Sequence, residues 1–187
     1  MTPLIILLVL VILVGLFLLV TYNALVAKRT HADEAWADID VQLKRRHDLI
    51  PNLIESVKGY ATHEQGTLTK VIEARNAAMN AQASGDPKAM ASAENALQST
   101  LKSIFALSEN YPALRANENF LHLQQELTDT ENKVQAARRF FNGLVRDLNI
   151  AIQQFPGLVI APMFGFKTRI FFELDDAAER ATPTVSF

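Results

Sequence analysis

The sequence predicts an all-α protein: an N-terminal transmembrane helix continuing into an up-and-down antiparallel four-helix bundle, with a short apolar, extended C-terminal segment. Three observations predict it. Leu4 to Val20 is an unbroken apolar run. Downstream, apolar residues recur at spacings of three and four, the repeat of one helix face packed on other helices. Short turn signals separate these periodic stretches, and short links make successive helices antiparallel neighbours. The chain divides into an anchor at 1–27, a bundle at 28–156, an apolar C-terminal segment at 157–174 and a loose tail at 175–187.

Composition narrows the function. The 187 residues are 49% hydrophobic and 20% charged, with a net charge of -2, no cysteine, seven Gly and seven Pro. The pI is about 6.1 and the mean hydropathy +0.09. Roughly 150 residues remain after the anchor, enough to bury a core. With no basic surplus there is no surface to track phosphates, so nucleic acid is excluded as an expected partner. The missing cysteines exclude disulfides and thiolate metal sites.

In the anchor, every residue from Leu4 to Val20 is Leu, Ile, Val or Phe except Gly15, and Thr21–Ala27 stays uncharged. At 1.5 Å per residue this spans a hydrocarbon core of about 30 Å. Each large apolar residue favours insertion by roughly 0.3–0.6 kcal/mol at the helix centre. A cleaved signal peptide would need a positive start and small residues before the cut. Met1-Thr2-Pro3 is uncharged and Leu25 occupies a position where a small residue would be required. Lys28, Arg29, Lys44, Arg45 and Arg46 follow the anchor, so the positive-inside rule puts the C-terminal domain in the cytoplasm.

The first bundle helix carries the seam Tyr22, Leu25, Arg29, Ala32, Trp36, Ile39, Leu43, Arg46, Ile50, Leu53, Val57 and Tyr60. Its phase is unbroken from the anchor onward and survives Pro51. A continuous, kinked helix fits that phase; a break near Asp48, with Pro51 in a new first turn, is the rival. Thr62-His63-Glu64-Gln65 has the form of a capping box opening a second helix, whose apolar face is Leu68, Val71, Ile72, Ala78 and Met79. In Ser84-Gly85-Asp86-Pro87, Gly85 ends that helix, Asp86 caps the next and Pro87 takes its first position. The third helix is expected to bury Met90, Ala93, Leu97, Ile104 and Leu107 and to stop before Tyr111-Pro112.

The last long helix has the seam Phe120, Leu123, Leu127, Thr130, Val134, Ala137, Phe141, Leu144, Leu148, Ala151 and Phe155. Its acids come early and its bases late, matching the helix dipole. If it runs antiparallel to the first helix, Tyr60 is level with about residue 118, Arg46 with Thr130 to Lys133, and Trp36 with Phe141. The apolar stretch GLVIAPMFGF then lies either at the membrane interface or over the lower end of the bundle. Lys167–Leu174 alternates enough for a short extended segment.

Catalytic motifs are missing. His63-Glu64-Gln65-Gly66-Thr67 starts like HExxH, but Thr67 is not a histidine. His47-Asp48 is a lone pair, His31 is expected to be exposed, and Glu118 and His122 share a face without the Glu-x-x-His spacing of di-iron bundles. No metal and no cofactor is expected. The polar candidates are charges that interrupt the apolar seams: Arg46 meeting Glu131, and Asp38 and Asp40 level with Arg138, Arg139 and Asn142. The expected role of this interhelical polar cluster is ion pairing that fixes register, and the alternative is a ligand pocket inside the bundle. Trp36 is expected to be a core anchor.

Asp33–Glu64 (DEAWADIDVQLKRRHDLIPNLIESVKGYATHE), Tyr111–Pro156 and the FGFK at 164–167 together resemble the hallmark stretches of the LemA family. The resemblance runs from the anchor to about Glu173. It implies a bacterial single-pass membrane protein with a helical bundle and an envelope role. The family brings no agreed catalytic residues, and its members are often encoded beside TPM-domain proteins or membrane metalloproteases. A sensor kinase has shared the LemA name, but this chain has neither the length nor the motifs of a kinase domain. The expected function is a non-enzymatic scaffold that binds other membrane proteins or itself and meets the lipid bilayer through Leu4–Val20. The alternative is a small-ligand sensor or enzyme with a polar pocket near Arg46.

Overall fold

A computed structural model describes residues 2–61 and 63–173. The order of elements is α1 (Thr2–Lys58), α2 (Gln65–Ser84), α3 (Pro87–Ser108), α4 (Pro112–Arg115), α5 (Glu118–Gln153) and α6 (Gly157–Met163). Among the described residues there is no strand. The expected tail, 175–187, and the last residue of the alternating stretch, Leu174, lie outside the described residues.

Helix α1 runs without interruption through Pro51, so the break considered near Asp48 does not occur. Its first part is long and apolar enough to cross a membrane, and none of that window is buried within the chain. From Leu25 onward the seam goes inside: Leu25, Ala32, Ile39, Leu43, Arg46, Ile50, Leu53 and Val57 are buried. Tyr60 is 42% exposed, because α1 has already ended at Lys58.

The second helix starts differently from the expected capping box. Its N-cap is Glu64, and no side chain caps it. The Glu64 carboxylate instead accepts a hydrogen bond from Tyr111 Oη at 3.2 Å. Thr62 lies outside the described residues. The following turn behaves as expected. Gly85 takes a left-handed φ of 68°, which favours a residue without Cβ. The Asp86 carboxylate then accepts from the Lys88 amide at 3.0 Å, and Pro87 fills the first helical position. Helix α3 buries Met90, Ala91, Glu94, Leu97, Leu101 and Ile104, while Ala93 and Leu107 are only half-buried. One turn of helix not anticipated, α4, intervenes before α5. Asn117 then caps α5, its Oδ1 accepting from Phe120 N at 3.0 Å.

The chain packs as two compact units. Among the described residues, one comprises those up to Asp38 with Ala137–Phe171, and the other comprises Ile39–Ala136 with Phe172 and Glu173. Both α1 and α5 contribute to each. The second unit is the four-helix bundle. There Gln82 bonds to Asp40 and Arg75 to His47, so α2 descends as α1 ascends. Tyr60 Oη accepts from Asn117 Nδ2 at 3.0 Å and Arg46 meets Glu131, so α5 is also antiparallel to α1. Its core gathers Ile50, Leu53, Val57, Leu68, Val71, Leu97, Ile104, Leu114, Phe120 and Leu127.

In the first unit the Trp36 and Phe141 rings lie 5.1 Å apart, the level that the sequence register gives. The apolar C-terminal segment packs on α1: Ile160, Ala161 and Phe166 bury Leu25 and rest against Leu18, Tyr22 and Val26. Phe155, counted as the last seam residue of α5, is instead 77% exposed, because α5 stops at Gln153. Beyond α6 the described residues form no helix and are clipped to α5. Asn149 Oδ1 accepts from the Arg169 amide at 2.8 Å, and Asn149 Nδ2 donates to the Arg169 carbonyl at 2.9 Å. The Arg169 guanidinium also pairs with Asp33.

Candidate functional site

At one level the bundle core carries charge. Arg46 and His47 on α1 and Glu94 on α3 are 4%, 2% and 2% exposed. Arg46 falls on the inner face because it continues the three-four spacing of Ile39, Leu43 and Ile50. Glu94 is inside for the same reason: it lies four residues after Met90 and three before Leu97, all three buried.

The carboxylate of Glu94 is held at both oxygens. Arg46 Nη1 donates to Oε2 at 3.2 Å. His47 Nε2 lies 2.7 Å from Oε1. A carboxylate accepts, so that contact assigns the proton to Nε2 of the imidazole. Arg46 Nη1 is also 2.9 Å from Glu131 Oε2 on α5. This second contact is an ion pair rather than a directed hydrogen bond, for Glu131 Oε2 has no aligned donor. Glu131 Oε1 accepts from Gln98 Nε2 of α3 at 3.1 Å and from Gln135 Nε2 at 3.2 Å. One guanidinium thus faces two carboxylates.

The fourth helix joins through a backbone defect. Pro51 has no N–H, so the carbonyl four residues earlier, that of His47, loses its helical partner. Arg75 of α2 supplies the replacement: its Nε donates to the His47 carbonyl at 2.8 Å. The proline that interrupts the α1 hydrogen-bond ladder therefore creates the acceptor that α2 binds. At this level α1 is tied to α2 by Arg75, to α3 by Glu94 and to α5 by Glu131. Outside it, Arg45 Nη2 and Glu126 Oε2 pair at 2.6 Å on the surface, a contact of lesser weight because solvent screens it.

The six residues singled out from the sequence separate into a pair and four others. Arg46 and Glu131 come together. Asp40 turns to α2, where Gln82 Nε2 donates to its carbonyl at 3.1 Å and to its Oδ1 at 3.3 Å. Burial pushes the Asp40 carboxyl above its ordinary range, and the Gln82 hydrogen bond partly offsets that. Asp38 and Arg139 are exposed and Arg138 half-buried; none of the three makes an ion pair among the described residues. Glu94, His47 and Arg75 are the members that the sequence reading did not place here. For Glu94 the signal was its position on the Met90–Leu97 face. For Arg75 it was the free carbonyl that Pro51 guarantees.

The enclosed layer ties α1 to three other helices. Both of its carboxylates are engaged, and Arg46 and His47 are almost wholly buried. The model of the LemA family matches residues 35–187. The chain belongs to the LemA family. Among curated relatives, magnetosome protein MamQ of Magnetospirillum gryphiswaldense is 24% identical over 90% of this chain and 70% of its own length. Magnetosome protein MamQ 2 of Paramagnetospirillum magneticum is 22% identical with the same coverage. Protein LemA of Metamycoplasma hominis is 25% identical over 71% of this chain and 60% of its own length. The buried layer, from Arg46 to Glu131, lies wholly inside the matched residues.

Proposed function

We propose that this LemA-family chain is a single-pass, membrane-anchored scaffold of the bacterial envelope. Its helical bundle binds proteins, other copies of itself included, and catalyses no reaction. The observation that carries the reading is the fate of the buried charges. Arg46, His47 and Glu94 pair with one another and with Glu131, and so join helices rather than line an open pocket. The alternative, a sensor or enzyme binding a small ligand at Arg46, needs Arg46 to exchange two carboxylates for that ligand while 4% exposed.

The exposed apolar part of α1 supports anchoring, since an unsatisfied apolar helix in water would aggregate. The cations Lys28, Arg29, Lys44 and Arg45 after it support a cytoplasmic bundle in the inner membrane. The test is the mass and subunit count of the complex extracted from its own membrane in mild detergent. The scaffold reading expects an assembly larger than one 20.8 kDa chain. A strictly monomeric protein with no co-purifying partner contradicts it.

A further inference from the structure

The stretch from Phe155 to Phe166 holds no charged residue, and its next cation is Lys167. One face of this stretch is accounted for, with Ile160, Ala161 and Phe166 packed on α1. The other face is not: Phe155, Leu158, Val159, Met163 and Phe164 are 77%, 61%, 58%, 69% and 52% exposed. We propose that this outer face is a second lipid contact, seated in the leaflet on the bundle's side of the membrane. The proposal rests on the anchor reading and extends it to residues outside the anchor.

Depth decides the occupant. Phe155 stacks on Phe17, with ring centroids 6.2 Å apart, and Phe17 lies within the lipid-spanning run. Phe164 and Phe166 contact Tyr22 at 4.9 and 5.8 Å. The first charged residue on α1 is Lys28. At 1.5 Å per residue, Phe17 is roughly 16 Å along the helix axis from Lys28. The polar interfacial layer on each side of a bilayer is only about 5–8 Å thick. With Lys28 at the headgroups, Phe155 therefore reaches the acyl chains, and the Tyr22 level marks their upper edge. The polar rim fits the same placement. The Arg29 guanidinium lies 5.3 Å over the Phe166 ring, Arg169 pairs with Asp33, and Lys167 is exposed. Aromatic rings beneath a row of cations is the arrangement of an interfacial belt. A water-soluble partner would have to displace lipid to reach this face.

The chain has no cysteine, so single labels need no background substitutions. Full-length Val159→Cys and Met163→Cys variants carry a bimane fluorophore and are reconstituted into phosphatidylcholine–phosphatidylglycerol vesicles. Ile12→Cys reports the anchor and Lys102→Cys the aqueous bundle surface. Quenching is read with brominated acyl chains and with iodide on both sides of the bilayer. The expected result is that brominated lipid quenches the labels at 159 and 163 several-fold more than the label at 102, approaching the label at 12, while iodide spares them. Iodide access without bromolipid quenching places the face in water and overturns the proposal. Protection from both quenchers means that protein covers it, a second copy included, and overturns it equally. If the label at 12 is quenched by lipid and those at 159 and 163 are not, this proposal fails while the anchor stands. If the label at 12 also escapes lipid, the anchor reading fails with it.

Discussion

Replacing Arg46 by methionine removes the guanidinium that faces both carboxylates and keeps most of its apolar volume. Two carboxylate oxygens then lose their cation: Glu94 Oε2, 3.2 Å away, and Glu131 Oε2, 2.9 Å away. Glu94 is 2% exposed and cannot recover the loss from water. Glu131 is somewhat more open, with 18% of its side chain accessible, so the larger share of the cost falls on Glu94. Breaking a buried pair in this way costs about 3–5 kcal/mol. For a chain of this size that corresponds to a fall in melting temperature of roughly 6–20 °C. The assay is thermal unfolding of the full chain in detergent, followed by circular dichroism. Replacing His47, Glu94 and Glu131 by leucine as well as Arg46 by methionine should recover most of the loss, because no buried carboxylate or imidazole donor is then left without its partner. Unchanged melting of Arg46→Met would refute the buried pairing. A quadruple variant less stable than the single one would refute the charge origin of the effect.

Three further outcomes follow from the same contacts. Arg75→Met orphans the His47 carbonyl and should cost about 1–3 kcal/mol; in a Pro51→Ala background the new amide at 51 supplies the missing donor, so the cost should shrink. Equal costs in the two backgrounds, read by urea unfolding, would break the link between proline and arginine. Gly157→Ala places a Cβ 1.8 Å from the Ala151 carbonyl oxygen, so α6 must shift. A loss of about 1–3 kcal/mol of local packing follows, visible as faster amide exchange at 157–166, and unaltered exchange would contradict the close approach. Asp40 has its carboxyl raised above the ordinary value of 3.8 by burial, so the folded state binds that proton more tightly than the unfolded chain does. Its penalty is absent below the ordinary value, grows as pH rises through the raised one and is fully present at neutral pH. Asp40→Asn, which can still accept from Gln82, should therefore raise the melting temperature at pH 7 and leave it unchanged at pH 3; a gain of equal size at both pH values would assign it to something other than charge.

Periodicity carried most of the fold into view. The α1 and α5 seams name most of the buried residues on those helices, Arg29, Tyr60 and Phe155 being the exposed exceptions, and their antiparallel register places Arg46 at Glu131, Trp36 at Phe141 and Tyr60 at the start of α5, as the contacts have it. The turn at Gly85-Asp86-Pro87 was legible because each residue there has one strong backbone or capping preference. What escaped depends on a third helix. Asp40 lies near enough to α5 by register, yet Gln82 on α2 takes it, and a register drawn between two helices cannot rank a neighbour on another. Glu94 was passed over for Ala93, since an apolar seam favours the alanine, whereas Arg46 and His47 make the glutamate the better core residue. Arg75 was hidden for a subtler reason: its partner is a carbonyl, and only the missing amide of Pro51 leaves that carbonyl free. The capping box was misplaced because α2 starts only at Gln65, the residue read as its third helical position, with Glu64 at the N-cap.

The account stands on α1 being a single helix that serves first as anchor and then as bundle wall. Amide hydrogen exchange of the full chain in lipid nanodiscs tests this residue by residue. The account predicts protection without a gap from Thr21 through Val57, Pro51 having no amide to report. Rapid exchange confined to 28–34, with protected stretches on either side, would show two helices joined by a linker and contradict it.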